Sequence, residues 1–328
     1  MEQSVGGRML ERWIATIAVC AVIALGWSTH ARSAQNEATN VQQGKHVMQA
    51  NLSFGLGENS DEVMRKAAVP IRKSTVSTAL MYDASRIATG VEPVFEFKND
   101  RYGLLFPQAT DVEFMSDSEE GARVRNIEVT FKVPAPPHDV KDQAALSLYD
   151  DALYRYVMDV IARINRAGWK RFIAADSPRL GGLDTYVFDA PVNGQKYSPP
   201  PGIDYADPTY PLTLEQWKRL RAGGTVVWSW HVDNMFIDLQ YTKDFRAVDA
   251  PLVVGDQLSA TIRTDETWLD AFGKNGDVTA DALRARYRNA LPEMLATRRK
   301  AETMARAQGA TILDHWNEAV ISGVPVHP

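Results

Sequence analysis

Two β-prone runs that meet at Asp233 and Asn234 constrain the fold more than any other part of the chain. Residues 225–232 and 235–242 alternate large apolar side chains with smaller or polar ones, which is the period of a strand with one buried face. Asp and Asn tolerate the positive φ angles of a two-residue turn. We therefore predict a β-hairpin over residues 225–242.

The two faces of this hairpin differ in polarity. In the predicted register Trp230 pairs with Ile237 and Trp228 with Leu239, so the large apolar side chains share one face. A slip of one residue would mix the faces, which makes the register well specified. The opposite face carries Val227 and five further side chains. We predict that these five form an exposed binding surface: Ser229, His231, Phe236, Asp238 and Gln240.

The rest of the chain predicts an α+β fold with mainly antiparallel sheets packed against a long central helix. We predict strands at 94–97, 104–106, 111–115 and 123–133. The long helix covers residues 141–167 and ends at Gly168, because glycine readily adopts the left-handed conformation that ends helices.

Shorter helices and one loop complete this prediction. Ser60 is a candidate N-cap for a helix that ends before Pro70, and a proline-rich surface loop covers residues 191–211. The C-terminal third is predicted to be helical, with Pro292 kinking or splitting residues 279–307.

The N-terminal segment has the organisation of an export signal. Arg8 and Arg12 precede an apolar run at residues 14–27, which is shorter than the roughly 20 residues of a membrane-spanning helix. Trp13 and Trp27 flank this run as interfacial aromatics flank membrane spans. The segment is therefore either a signal peptide cleaved near Ala31 or an uncleaved membrane anchor formed by residues 13–29. Met1 and Met9 are both possible starts.

These patterns divide the chain into four regions. They are a signal peptide or membrane anchor at 1–34, a flexible tether at 35–46, and α+β parts at 47–135 and 136–328. The last two are either separate parts or one continuous domain. Either N-terminal alternative predicts a periplasmic location, soluble after cleavage or attached to the inner membrane.

Composition and motifs exclude several function classes. The single cysteine, Cys20, lies inside the apolar run, so the predicted body has no disulfide or thiolate site. The formal net charge of −5 and the absence of a basic stripe argue against nucleic acid as a partner. We find no local motif for a nucleotide, a metal or a catalytic nucleophile, and neither His231 nor His315 has an evident partner group. No catalytic residue, metal or cofactor is predicted.

These exclusions favour an exported, non-catalytic protein of the cell envelope that binds another macromolecule, expected to be an envelope protein. An assembly accessory and an inhibitor or immunity-type protein both fit. The alternative is an exported hydrolase whose carboxylates or histidine are dispersed in sequence, because such sites leave no local signature. A small-molecule binding protein is a third hypothesis.

Overall fold

The computed structural model describes residues 50–85, 90–91, 93–119, 121–137, 141–187, 203–222, 224–246, 253–273, 279–314, 316, 319, 321 and 323–324. The predicted signal or anchor and the tether lie outside these residues. Among the described helices, none has both the length and the apolar content of a membrane span.

The elements follow one another along the chain as strands with helices between them. In order they are β1 (Leu52–Phe54), α1 (Ser60–Lys66), β2 (Arg72–Val76), β3 (Ala79–Asp83), β4 (Phe95–Phe97), β5 (Leu104–Phe106), β6 (Ala109–Asp117), β7 (Arg123–Phe131), α2 (Gln143–Arg166), β8 (Lys170–Arg171), α3 (Asp184–Val187), β9 (Ile203–Ala206), α4 (Leu214–Ala222), β10 (Thr225–Val232), β11 (Met235–Arg246), β12 (Val253–Thr264), α5 (Asp265–Leu269), a 3₁₀ helix (Asp270–Phe272) and α6 (Ala280–Ala307).

A nine-stranded sheet organises the molecule. Its strand order is β2-β3-β6-β7-β12-β11-β10-β8, and β9 also pairs with β10. Every pair in it is antiparallel except β9 with β10. A smaller sheet has the order β1-β4-β5. The predicted α+β class with a mainly antiparallel sheet is therefore confirmed.

The core lies on one face of the large sheet, which we call the inner face. Leu153, Val157 and Ile164 of α2 are fully buried and belong to the same hydrophobic cluster as the inner-face side chains. The predicted long helix is confirmed, with Asp142 as its N-cap and Gly168 at a φ of 89° just beyond its end.

The hairpin of β10 and β11 has the predicted register. Trp230 pairs with Ile237 and Trp228 with Leu239, and Asp233 in the turn has a φ of 47°. Both tryptophans are fully buried. Their indole N–H groups are also satisfied, since Trp230 donates to Asn165 Oδ1 at 2.7 Å and Trp228 donates to the Tyr186 hydroxyl at 3.0 Å.

Two helix predictions need correction. Of the two effects predicted for Pro292, splitting the helix is wrong, because α6 runs through it as one helix, and a kink stays a prediction. Leu291 and Met294, on either side of the proline, are buried in the same cluster, and this burial offsets the hydrogen bond that proline cannot form. Ser60 is not the N-cap of α1. Asn59 holds that position and accepts from the Glu62 N–H at 3.0 Å, while Ser60 Oγ donates to the Ala122 carbonyl.

Long-range pairing produces the other differences. Residues 203–206 of the predicted loop form β9, whereas residues 188–202 lie outside the described part. The prediction had no strand at β12, which pairs with both β11 and β7. Because β7 and β12 lie on opposite sides of the predicted boundary at residue 135, the large sheet contains strands from both α+β parts.

Candidate binding surface

The second face of the large sheet, which we call the outer face, carries a row of polar side chains across seven strands. Directly paired residues connect β2, β3, β6, β7, β12, β11 and β10 in that order: Arg72, Asp83, Glu113, Glu128, Thr261, Asp238 and Ser229. Directly paired residues share a face, so four carboxylates from four strands lie in one line.

Two neighbouring rows extend the outer face. One contains Ser74, Met81, Met115, Asn126, Arg263, Phe236, His231 and Lys170. The other contains Asp111, Thr130, Ser259, Gln240 and Val227. All five sequence-predicted site residues fall in these three rows, together on one face, as the alternation required.

The prediction that Phe236 is exposed is wrong. Its side chain is only 2% exposed, because α5 and α6 pack over this corner of the outer face. The Phe236 ring stacks on Trp268 at a centroid distance of 5.6 Å and meets Phe172 edge-on at 4.9 Å. Leu283 and Tyr287 of α6 belong to the same cluster. Phe236 therefore anchors the C-terminal helices and is not available to a partner.

The other predicted residues are partly exposed. Asp238 accepts hydrogen bonds from Ser229 Oγ, at 2.6 Å, and from the guanidinium of Arg263. His231 lies at the covered corner, with its ring 6.1 Å from that of Phe172. His315 lies outside the described residues. Contact of Ser229, His231, Asp238 and Gln240 with a partner stays a prediction.

Glu113 and Glu128 are the most unusual groups on the outer face. They pair directly across β6 and β7, and the structure gives neither carboxylate a hydrogen bond or ion pair with the described residues. Glu113 remains exposed to solvent, but desolvation by its neighbours is the largest cause that raises its pKa, to about 7, and the charges of Glu128 and Asp83 add to it. Asp111 acts in the same direction and Arg72 in the opposite one.

Burial also raises the pKa of Glu128 and of Asp111. Two further polar atoms beside this pair are buried and have no hydrogen-bond partner among the described residues, namely the acceptor Asn126 Oδ1 and the donor Arg263 Nε. Unsatisfied buried polar atoms are uncommon and call for an explanation. This part of the outer face is therefore polar and under-satisfied.

Sequence reasoning found the hairpin portion of this surface but missed Asp83, Asp111, Glu113 and Glu128. A signal for three of them was present. Asp111 and Glu113 alternate with the buried Val112 and Phe114, as Glu128 alternates with Ile127 and Val129. The short turn between β6 and β7 makes these strands neighbours, but their register includes two shifts that no local pattern encodes, and the pairing of β3 with β6 joins more distant segments.

A second polar cluster joins α2, α4, β11 and β12. Arg221 donates to Asp256 at 2.6 Å, to Asp150 at 2.6 Å and to the Tyr241 hydroxyl at 2.8 Å. Tyr149 donates to the same Asp256 carboxylate at 2.5 Å. Because every member bonds to another member, this cluster fits a structural cross-link better than a binding site.

The described residues show no metal site, and one small cavity lies beside the long helix. No group of three or more His, Cys, Asp or Glu side chains in this part of the chain could hold a metal ion. A cavity between β5 and α2, lined by residues such as Leu105, Tyr156 and Val160, has a volume of about 20 Å³. This is close to the space that a single water molecule needs.

Comparison with known proteins adds no relative: no family model, curated protein or solved structure matches this chain.

Proposed function

We propose that this chain is an exported, non-catalytic protein of the cell envelope that docks another protein on its outer face. One observation carries the proposal: three carboxylates on this face, Asp111, Glu113 and Glu128, have no cation partner among the described residues. Asp83 and Asp238 are matched by Arg72 and Arg263. Like charges that face each other on adjacent strands repel, and charged surfaces of this kind serve recognition by complementary partners.

The form of the face supports docking over catalysis. Its central polar row extends across seven paired strands, whereas substrate sites are clefts that remove their ligand from water. An assembly accessory and an inhibitor or immunity-type protein would both use such a surface. Export is supported by Arg8, Arg12 and the apolar residues 14–27.

A photo-crosslinking amino acid placed on the outer face tests the docking. Met115 is suitable because it lies on this face and is 38% exposed. Leu148 on α2 is the matched control, since it is a 73% exposed apolar residue on an element that packs against the inner face. We expect a discrete protein adduct from position 115 in cells and none from position 148. Equal adducts, or none, would contradict the docking proposal.

Export has its own test. A reporter that is active only in the periplasm should be active when it is fused after Pro328. Activity of a cytoplasmic reporter alone at this position would contradict export.

The alternative of an exported hydrolase is favoured by one specific observation. Glu113, with a pKa near 7, lies beside a second carboxyl group, and paired carboxyl groups that share a proton can act as general acid and base. Hydrolysis of peptidoglycan or casein by the purified chain, lost in Glu113→Gln and retained in Glu119→Gln, would support this alternative.

A further inference from the structure

We propose that two copies of this chain pair through the outward edge of β2, the edge that faces away from β3, so that their large sheets join into one. This inference goes beyond the proposed function, because it concerns a different surface and names a second copy as its occupant.

The outward edge of β2 carries backbone groups that are ready to pair. Among the described elements β2 pairs with β3 alone. Val76 and Ala79 flank a two-residue turn, and residues that flank such a turn exchange hydrogen bonds. Because bonding alternates along an antiparallel pair, Ser74 also bonds to β3, whereas the N–H and C=O groups of Lys73 and Thr75 point outward.

The neighbouring strand has the bonding phase that this assignment requires. Just beyond β3, the Ala84 N–H donates to the Val112 carbonyl of β6 at 2.9 Å. Even-numbered residues of β3 therefore bond to β6 and odd-numbered ones bond to β2. No described residue bonds to the outward backbone groups of Lys73 and Thr75. An exposed strand edge of this kind is a template for pairing with another strand.

The side chains of β2 leave this edge accessible. Of its five residues, Arg72 is half-buried and the other four are exposed. Charged side chains on an edge strand normally discourage pairing. Here each cation is matched within its own chain, since Lys73 pairs with Asp61 of α1 at 2.6 Å and Arg72 pairs with Asp83 at 3.6 Å. Their charges therefore oppose a second strand less than unmatched cations would.

A second copy fits this edge in one register. An antiparallel pair with Ser74 on a two-fold axis places Lys73 opposite Thr75 of the second copy, and all outward groups of both residues are then paired. An axis at Lys73 would set two lysines directly opposite each other, and like charges in that position repel. An axis at Thr75 would pair Lys73 with Ser77, whose φ of 56° belongs to the turn. The edge is therefore self-complementary around Ser74.

The same register covers an exposed apolar side chain. Val76 is 59% exposed, and it would pair with Arg72 of the second copy, whose aliphatic stem can pack on it. Directly paired residues share a face, so the outer faces of the two copies would form one continuous surface. Because β2 is short, we expect an interface under about 1,200 Å², which is typical of reversible association.

Cysteine cross-linking of the purified full chain tests this pairing. Cys20→Ser removes the only native cysteine, and Ser74→Cys then places a thiol on the two-fold axis, where paired Cβ atoms are close enough for a disulfide. Ser147→Cys is the matched control, because Ser147 is an exposed serine on α2. Under a mild oxidant we expect the linked dimer to form at least about tenfold faster from position 74 than from position 147.

Reversing the charge at position 75 gives a second test. Thr75 is exposed, so substitutions there should leave the fold intact. Thr75→Lys places a lysine opposite Lys73 of the second copy, and Thr75→Glu places a carboxylate there. In the Ser74→Cys chain we expect Thr75→Lys to slow cross-linking and Thr75→Glu to accelerate it, each by about two- to fivefold.

Equal dimer formation at positions 74 and 147 would overturn the inference, and so would a change in the same direction from Thr75→Lys and Thr75→Glu. A Ser74→Cys adduct in cells that contains a different protein in place of a second copy would also overturn it.

Discussion

Glu113 and Glu128 face each other directly across β6 and β7, and each has a raised pKa. The pKa of Glu113 rises from 4.5 to about 7. The folded chain therefore holds its proton more tightly than the unfolded chain does. Between these two pKa values the folded state binds more protons, so this group lowers the free energy of unfolding as the pH rises.

Glu113→Gln should remove this effect. We expect the melting temperature of the variant, relative to the native chain, to be higher at pH 8 than at pH 5, measured by thermal unfolding at constant ionic strength. Glu119→Gln, exposed at the end of the hairpin, should show the same difference at both pH values. A pH-independent difference for Glu113→Gln would mean that its carboxyl group is better solvated than its neighbours imply.

The second prediction concerns Trp230, which is fully buried and donates to Asn165. Trp230→Ala should lower the free energy of unfolding by about 3–5 kcal/mol, because it leaves a cavity in the inner-face core and an amide without its donor. Urea unfolding measures this change. Met115→Ala on the outer face is the control and should cost under about 1 kcal/mol. Similar costs for the two variants would contradict the assignment of inner and outer faces.

The hairpin shows what the sequence could predict, and Glu113 shows what it could not. Trp228 and Trp230 share a face with Leu239 because alternation and the Asp233 turn define the register within a few residues. The β6–β7 pair has the same alternation, but a longer connection joins it and a register shift lies between Met115 and Ser116. No local pattern could therefore place Glu113 opposite Glu128.

Local sequence patterns could not predict the burial of Phe236 either. Its position on the outer face was predicted correctly from alternation. Phe236 is covered by Trp268 of α5 and Tyr287 of α6. The packing of these two helices on that corner depends on tertiary contacts. Candidate site residues were thus placed on the correct face, while their exposure was decided by distant elements.

The third prediction tests the Arg221 cluster. Arg221→Met should cost about 3–5 kcal/mol, because it leaves the buried Asp256 carboxylate without its cation. The matched control is Lys218→Met on the same helix, whose pair with the exposed Glu215 should contribute at most about 1 kcal/mol. Adding Asp256→Asn to Arg221→Met should restore part of the lost stability. If the two single variants cost the same, the cluster is not the cross-link that its bonds imply.

The last prediction concerns Pro292, which lies inside α6 with its side chain exposed. Proline lacks the N–H for one helical hydrogen bond and clashes with the preceding turn, at a cost of up to about 3 kcal/mol relative to alanine. Because α6 is continuous through this position, Pro292→Ala should raise the free energy of unfolding by roughly 1–3 kcal/mol, measured by urea unfolding. Glu293→Ala, at the next exposed position, should change it by less than about 0.5 kcal/mol. A loss of stability in Pro292→Ala would mean that a bend at the proline is needed for Leu291 and Met294 to reach the cluster around Trp268.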